Sequence, residues 1–408
     1  MQLLALALAT VLDGSARASL PEIAGMGGRS SALAGTGASF ADGFDAVYEN
    51  PAGLVEPTQR RLTVGYILGR YDLYLDGASR GVADTNGVML GVALPLPFGG
   101  FLTRRIAFGL GFYFPTSVLN RAQAPFSDEP RLALLDERTQ VVSALGALGF
   151  RITDRLTLGV GVLVLATLTG IIRIAPDAGG HIVTLAEEQI VASYSPLIGA
   201  RWRATDWLRI GATIHDVSEA RYDIEIDAAL GKAIPITLPV LHVSGVAQYD
   251  PLQAVLEASA QPRPWVTLIG SLTYKRWSAF PLPVNNAATP AGMDGPPSPA
   301  FHDTIVPRVA VELVRARPTL SLALRGGWSW EPTPSSPTIA SPTDPTMSVP
   351  TPYVDADRQV LTVGAGLTHI HTFGALQIDT FAQLHFLTGN PRATGKFVLA
   401  GLSVGVDL

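Results

Sequence analysis

Covalent and metal chemistry have little to work with in this chain: it has seven histidines and no cysteine. His369 and His371 share one face of a strand but flank a turn, and His181, His215, His242, His302 and His385 are scattered. No H-E-x-x-H pair occurs. No catalytic residue, metal site or cofactor is therefore assigned, and the chain is not read as an enzyme. Binding is better served. Arg105, Arg209 and Arg325 fall on the polar face of alternating segments, where a guanidinium could hold a carboxylate or pair internally with Asp379 or Asp407. Ile236, Leu238, Val240 and Leu241 crowd a loop with prolines and few charges, an apolar surface that needs something to cover it.

What must position these residues is a series of strand-like segments running from residue 60 to 408. Their connections alternate between minimal (96–100, 153–154, 205–206, 262–264, 316–318, 371–373) and long (75–85, 115–137, 175–186, 229–250, 280–302, 331–354, 388–394). Strict short/long alternation is the pattern of an up-and-down barrel in an outer membrane, and it predicts fourteen antiparallel transmembrane strands. In 376–386 an outward set, Leu376, Ile378, Thr380, Ala382, Leu384 and Phe386, alternates with Gln377, Asp379, Phe381, Gln383 and His385. Ile106, Phe108, Leu110, Phe112 and Phe114 likewise oppose Arg105, Ala107, Gly109 and Gly111. The six tryptophans, all near strand ends, suit the two interfacial belts. Segments 156–174 and 207–227 exceed the ~9–11 residues that cross a bilayer, so both are expected to project outside. A short helix is expected at 130–137, and the Pro-rich stretches 281–299 and 332–352 read as extended surface loops.

Composition agrees. Only 15% of residues are charged, against roughly 25% in soluble domains. Hydrophobic residues reach 47%, yet beyond the N-terminus no apolar run is long enough for a spanning helix. A net charge of −5 argues against a nucleic-acid partner. Residues 1–18 read as a signal peptide, with an apolar run from Leu3 to Leu12 and a small-x-small site at Ala16-Arg17-Ala18, leaving a mature chain that begins near Ser19. Residues 19–59 do not alternate, and a segment of that length before the first strand could plug a lumen too wide for wall side chains to fill.

Here the chain resembles the FadL/TodX family of outer-membrane hydrophobic-compound transporters. The resemblance lies in the Gly- and Ala-rich stretch 25–37, and in Asn50-Pro51-Ala52-Gly53 at the end of 45–54. It continues in the glycine-aromatic strand 108–115, in Trp277-Ser278-Ala279-Phe280, in the hairpin 303–334 and in the strand 355–366. The resemblance implies a barrel with an N-terminal hatch at 19–59, in which Asn50, Pro51 and Ala52 are hatch residues. It also implies capture of a fatty acid or aromatic hydrocarbon at an outer groove formed by loops 175–186 and 229–250. Release would be sideways, beside a kinked third strand carrying Gly109 and Gly111. The partners would be that hydrophobic ligand and outer-membrane lipid, and the barrel would act as a monomer. The external loops match no family pattern, so the ligand stays open between these classes. Two other functions are kept: a general aqueous porin, disfavoured by the plug and by few inward charges, and a barrel that anchors partners at the surface.

Overall fold

Period-two alternation along segments that never become helical dictates a sheet, and an apolar outer face forces that sheet to close. In hydrocarbon a free edge would leave N–H and C=O groups without partners. The computed structural model describes residues 19–82, 84–116, 130–135, 142–176, 181–228, 240–281, 284–286, 298–341, 344, 346–371 and 374–407. The signal-like stretch 1–18, and Ile236 and Leu238, lie outside the described residues. Fourteen antiparallel strands form a closed ring. They are β1 (Arg61–Leu75), β2 (Thr85–Pro95), β3 (Ile106–Pro115), β4 (Ser143–Arg151), β5 (Leu156–Pro176), β6 (Ile182–Arg203) and β7 (Leu208–His215). Then follow β8 (Gln253–Arg263), β9 (Val266–Lys275), β10 (Thr304–Ala316), β11 (Leu320–Glu331), β12 (Asp357–His371), β13 (Gly374–Thr388) and β14 (Ala393–Asp407). The ring closes where β1 meets β14 along its whole length, from Arg61 opposite Asp407 to Leu75 opposite Ala393. Arg61 clasps Asp407 at that seam with two hydrogen bonds of 2.5 and 2.9 Å.

The expected faces are the observed ones. Asp379, Phe381, Gln383 and His385 of β13 are buried, as are Ala107 and Tyr113 of β3. Leu62, Val64, Tyr66 and Leu68 of β1 lie exposed on the outside, where lipid would cover them. No helix among the described residues is long and apolar enough to cross a membrane.

Several expectations are corrected. The segment 207–227 is not one strand: β7 ends at His215, and Ser218–Ala228 is a separate strand that pairs antiparallel with Leu241–Asp250 and parallel with the projecting part of β5. The cause is a change of parity. β7 buries Gly211 and Thr213 at odd positions, whereas the next strand buries Ala220, Tyr222, Ile224 and Ile226 at even ones. The switch falls at Asp216, whose side chain accepts from Val217 N at 2.8 Å. Much of the presumed loop 229–250 is therefore strand. Similarly, β5 and β6 stay paired out to Pro176 and Ile182, so strand takes up both ends of the expected loop 175–186. In place of a helix at 130–137, Arg131–Leu132 forms a two-residue strand beside Tyr353–Val354, and within 332–352 a small hairpin joins Thr338–Ala340 to Ser348–Pro350. Trp202, Trp207 and Trp265 do stand exposed at the short-turn end, but Trp277 is buried.

Trp277 packs in an aromatic cluster with Tyr249, Phe280 and Phe301, ring centroids 4.8 to 6.5 Å apart, above the long-loop ends of the strands. Ala133, Leu134 and Tyr353 complete it. Long connections thus carry their own small core, which is why they can form a cap.

Candidate functional site: a two-sided lumen around the N-terminal segment

Residues 19–55 fold inside the ring as short turns rather than strands. They are α1 (Leu20–Ala24), α2 (Gly28–Ala32), α3 (Ala46–Glu49) and a 3-10 turn, Pro51–Val55. Three of the four starts are set by a short polar side chain, while α2 begins after Gly27 without one. Ser19 Oγ accepts from Glu22 N at 3.2 Å, Asp45 from Ala46 N at 3.0 Å, and Asn50 from Ala52 N at 3.0 Å. Pro51 then occupies a first-turn position whose N–H would have no partner.

Asn50 is fully buried and holds three things together. Its amide nitrogen donates to Ala38 O (2.6 Å) and to Ala200 O of β6 (3.0 Å), while its oxygen takes the Ala52 N–H. Wall glycines make this approach possible. A methyl group on Gly199 would sit 2.1 Å from Asn50 Oδ1, one on Gly159 2.3 Å from Ala52 N, and one on Gly211 2.1 Å from Ala38 O. Gly109 does the same for Val47 and Leu54, and Gly111 faces Met26. Inward glycine here marks where the N-terminal segment docks against the wall.

The wall around that segment has two chemical sides. From β14 through β1 to β5 the large buried inward residues are mostly apolar, Phe397, Leu399, Ile67, Met89, Tyr113, Leu145, Leu163 and Leu165, with Thr63, Thr85, Ser143, Thr157, Ser403 and Asp407 among them. They join Met26, Val47 and Leu54 of the segment in one continuous cluster that reaches Leu132 and Val354 in the cap. From β8 to β13 the inward residues include Glu257, Lys275, Arg308, Glu312, Arg325, Glu331, Arg358 and Asp379. That corrects the expectation of few inward charges. These groups do not line an open channel, because they are satisfied by one another and by the segment. Arg29 grips Glu312 with two bonds (3.0 and 2.9 Å), Glu257 accepts from Gly37 N and Ser39 N, and Lys275 bonds Glu22 and Glu331. Arg308 and Arg358 both donate to Glu331. The cavity left on this side has about 40 Å³ open to water-sized molecules and is lined by Glu49, Glu257 and Arg308, room for a few waters and no more.

The arginine candidates separate in space. Arg325 is buried and committed, donating to Glu312 (2.8 Å) and Asp379 (2.6 Å), so internal pairing describes it and ligand capture does not. Arg105 lies outside the lumen at the short-turn rim, its guanidinium 4.2 Å above the Phe101 ring. Arg209 is half-buried low on β7, opposite Arg203. The sequence reading missed Arg201, which is buried on β6 and donates to Ala41 O at 2.5 Å, over Gly53. Its signal was parity: it shares the inward face with Gly199. In the apolar loop, Val240 is exposed and Leu241 opens a strand. Gly109 and Gly111 lie in a strand whose ladders to β2 and β4 carry no register shift, so no kink or gap is seen beside them in this structure. A concavity of about 940 Å³ lies instead on the outer wall, among the outward-facing Leu313, Leu322, Leu324, Leu367 and Ile378, a surface for membrane hydrocarbon.

A closed ring of this strand number, lipid-facing outside and divided inside, defines an outer-membrane transport barrel. Residues 7–388 match the family described as Outer membrane protein transport protein (OMPP1/FadL/TodX), and the chain belongs to that family. It is an outer-membrane protein of hydrophobic-compound transport. Among solved structures it is similar to a Pseudomonas aeruginosa FadL homologue (17% identity, TM-score 0.57, covering 97% of this chain and 99% of that one). It is also similar to the Ralstonia pickettii toluene transporter TbuX (16%, 0.56, 95% and 99%) and the P. putida toluene transporter TodX (14%, 0.55, 95% and 99%). At such identities the likeness carries the fold alone. A comparison with curated proteins gives no match.

Proposed function

We propose that the protein moves hydrophobic molecules, uncharged aromatic hydrocarbons ahead of long-chain fatty acids, from the cell surface into the outer membrane. The division of the lumen carries this reading. Water exposure costs an acyl chain about 0.8 kcal/mol per CH₂, on the order of 10 kcal/mol for a C16 chain, so a cargo of this kind needs an apolar path. The cluster from Leu132 and Val354 in the cap down to Met26 and Leu54 offers one. A carboxylate would also need a cation, yet Lys275, Arg308, Arg325 and Arg358 are all matched by acids of the chain. Capture would begin on the projecting β5–β6 hairpin, where Leu185, Ile190 and Tyr194 are exposed, and on the hairpin after β7. Residues 19–59 would act as the hatch, anchored through Asn50, Pro51 and Ala52, and the cargo would leave through the wall beside β3. A single ring is complete by itself, which suits a monomer.

Uptake by bacteria producing the protein tests this, with radiolabelled toluene, palmitate and sucrose and an empty-vector control. Toluene entry should rise several-fold and sucrose entry should not change. Sucrose entry without apolar uptake would establish the porin reading instead. No uptake of any probe, with a stable surface partner recovered, would establish an anchoring role.

A further inference from the structure

We propose that Asp250 seats a free α-ammonium group at Ser19, created by cleavage between Ala18 and Ser19. The main-chain nitrogen of Ser19 donates to Asp250 Oδ1 at 2.5 Å, and both residues are buried. Asp250 ends the external strand Leu241–Asp250, opposite Ser218, whose hydroxyl lies 3.5 Å from the other carboxylate oxygen. Among the described residues no side-chain cation touches Asp250. The nearby cations are taken: Lys275 bonds Glu22 and Glu331, while Arg308 and Arg358 bond Glu331. Acceptors are left over among the described residues, since Glu22 Oε2 has no hydrogen-bond partner and Glu49 takes only the Met26 N–H.

An amide nitrogen offers Asp250 one hydrogen and no charge, and burial then pushes its carboxyl up to about 7. An ammonium at the same place offers three hydrogens and a full positive charge, which is what a buried carboxylate requires. The residues before Ser19, Ala16-Arg17-Ala18, have the small-x-small form a leader peptidase cuts. Hydrolysis breaks the Ala18–Ser19 C–N bond, adds the water oxygen to the Ala18 carbonyl carbon as a carboxylate, and leaves the Ser19 nitrogen to be protonated. Processing would thus be read out inside the barrel. Only a chain cut at this bond places a charge on Asp250, and the cut fixes the start of α1 and with it the top of the N-terminal segment.

The test uses protein purified from outer membranes. The N-terminal peptide of the mature protein should begin at Ser19. Reductive dimethylation at pH 8, followed at the N-terminal peptide by mass spectrometry, should modify the α-amine at least tenfold more slowly in the folded barrel than in denatured protein. Asp250→Asn should remove most of that protection. A mature start at another residue, or equal labelling of wild type and Asp250→Asn, would overturn the proposal. Should Asp250→Asn fail to give the compact, heat-modifiable band of a folded barrel, a glycine inserted between Ala18 and Ser19 decides, because it displaces the amine while leaving Asp250 in place. Fast labelling of that variant supports the pairing, and continued protection rejects it.

Discussion

At the scale of single residues, the contact between wall and N-terminal segment rests on an amide, Asn50, and on glycines that leave it room. Asn50→Ala would strip Ala38 O, Ala200 O and Ala52 N of their partners at a buried site, at a cost of about 2–4 kcal/mol. Gly199→Val forces atoms into the space Asn50 fills, and overpacking of this kind costs about 1–3 kcal/mol. Both variants should keep a folded ring, since neither removes a backbone hydrogen bond between strands, yet raise single-channel conductance in planar bilayers by loosening the segment. Conductance equal to wild type in both would mean that Asn50 is not a tether of the segment. The asparagine was legible in the sequence through its Pro51-Ala52-Gly53 context. The purpose of the glycines was not, because inward glycine reads equally as an open interior until the segment that fills it is placed. Arg325 and Asp379 were legible as a possible pair, and Arg201 was overlooked although parity puts it on the same face.

Among elements, alternation made the strands readable wherever one parity ran unbroken, and it failed where parity changed within an apparently continuous run. The stretch 207–227 misled because apolar residues keep to even positions on both sides of the break, Leu208, Ile210 and Ile214 before it and Tyr222, Ile224 and Ile226 after it, so the pattern does not show that the buried face passes from odd positions in β7 to even ones beyond it. The cap was illegible for a different reason. Its core draws Leu134, Tyr249, Trp277, Phe301 and Tyr353 from separate connections, and nothing local announces their meeting. Asp355 supplies a pH dependence for this cap. Burial, with Asp357 nearby, lifts its carboxyl to about 7 from an ordinary 3.8, although Thr333 Oγ1 donates to it at 2.8 Å. Between those values the closed cap holds a proton that the opened cap releases, so closure is favoured most at low pH and weakens as pH rises through about 7. Hydrogen exchange of backbone amides in 353–357, corrected for intrinsic rates, should show greater opening at pH 8 than at pH 5. Asp355→Asn should flatten that difference, which also separates it from Asp250. Identical pH profiles for variant and wild type would remove Asp355 as the cause.

For the molecule as a whole, loop rhythm foretold the ring and its strand number, whereas the partition of the lumen emerged only on closure. Apolar inward residues of the first five strands become one surface only because β14 closes onto β1 and brings Phe397 and Leu399 beside Ile67. That partition makes a lateral exit beside β3 reasonable, since the apolar side borders it and the charged side lies across the barrel. Yet β3 is fully laddered to β4 from Ile106 opposite Phe150 to Tyr113 opposite Ser143, so any exit there requires those strands to part. A chain without cysteine permits a direct test. Leu110 and Gly146 are paired across this ladder on the lipid-facing side, where neighbouring Cβ atoms come within reach of a disulfide. Leu110→Cys with Gly146→Cys, oxidised, should cut toluene uptake at least tenfold, and dithiothreitol should restore it. The same pair of changes across a distant seam, Leu322→Cys with Leu367→Cys between β11 and β12, should leave uptake unchanged under both conditions. If the β3–β4 bond forms quantitatively and uptake continues at the reduced rate, the strands need not separate, and the cargo must pass the N-terminal segment toward the periplasm instead.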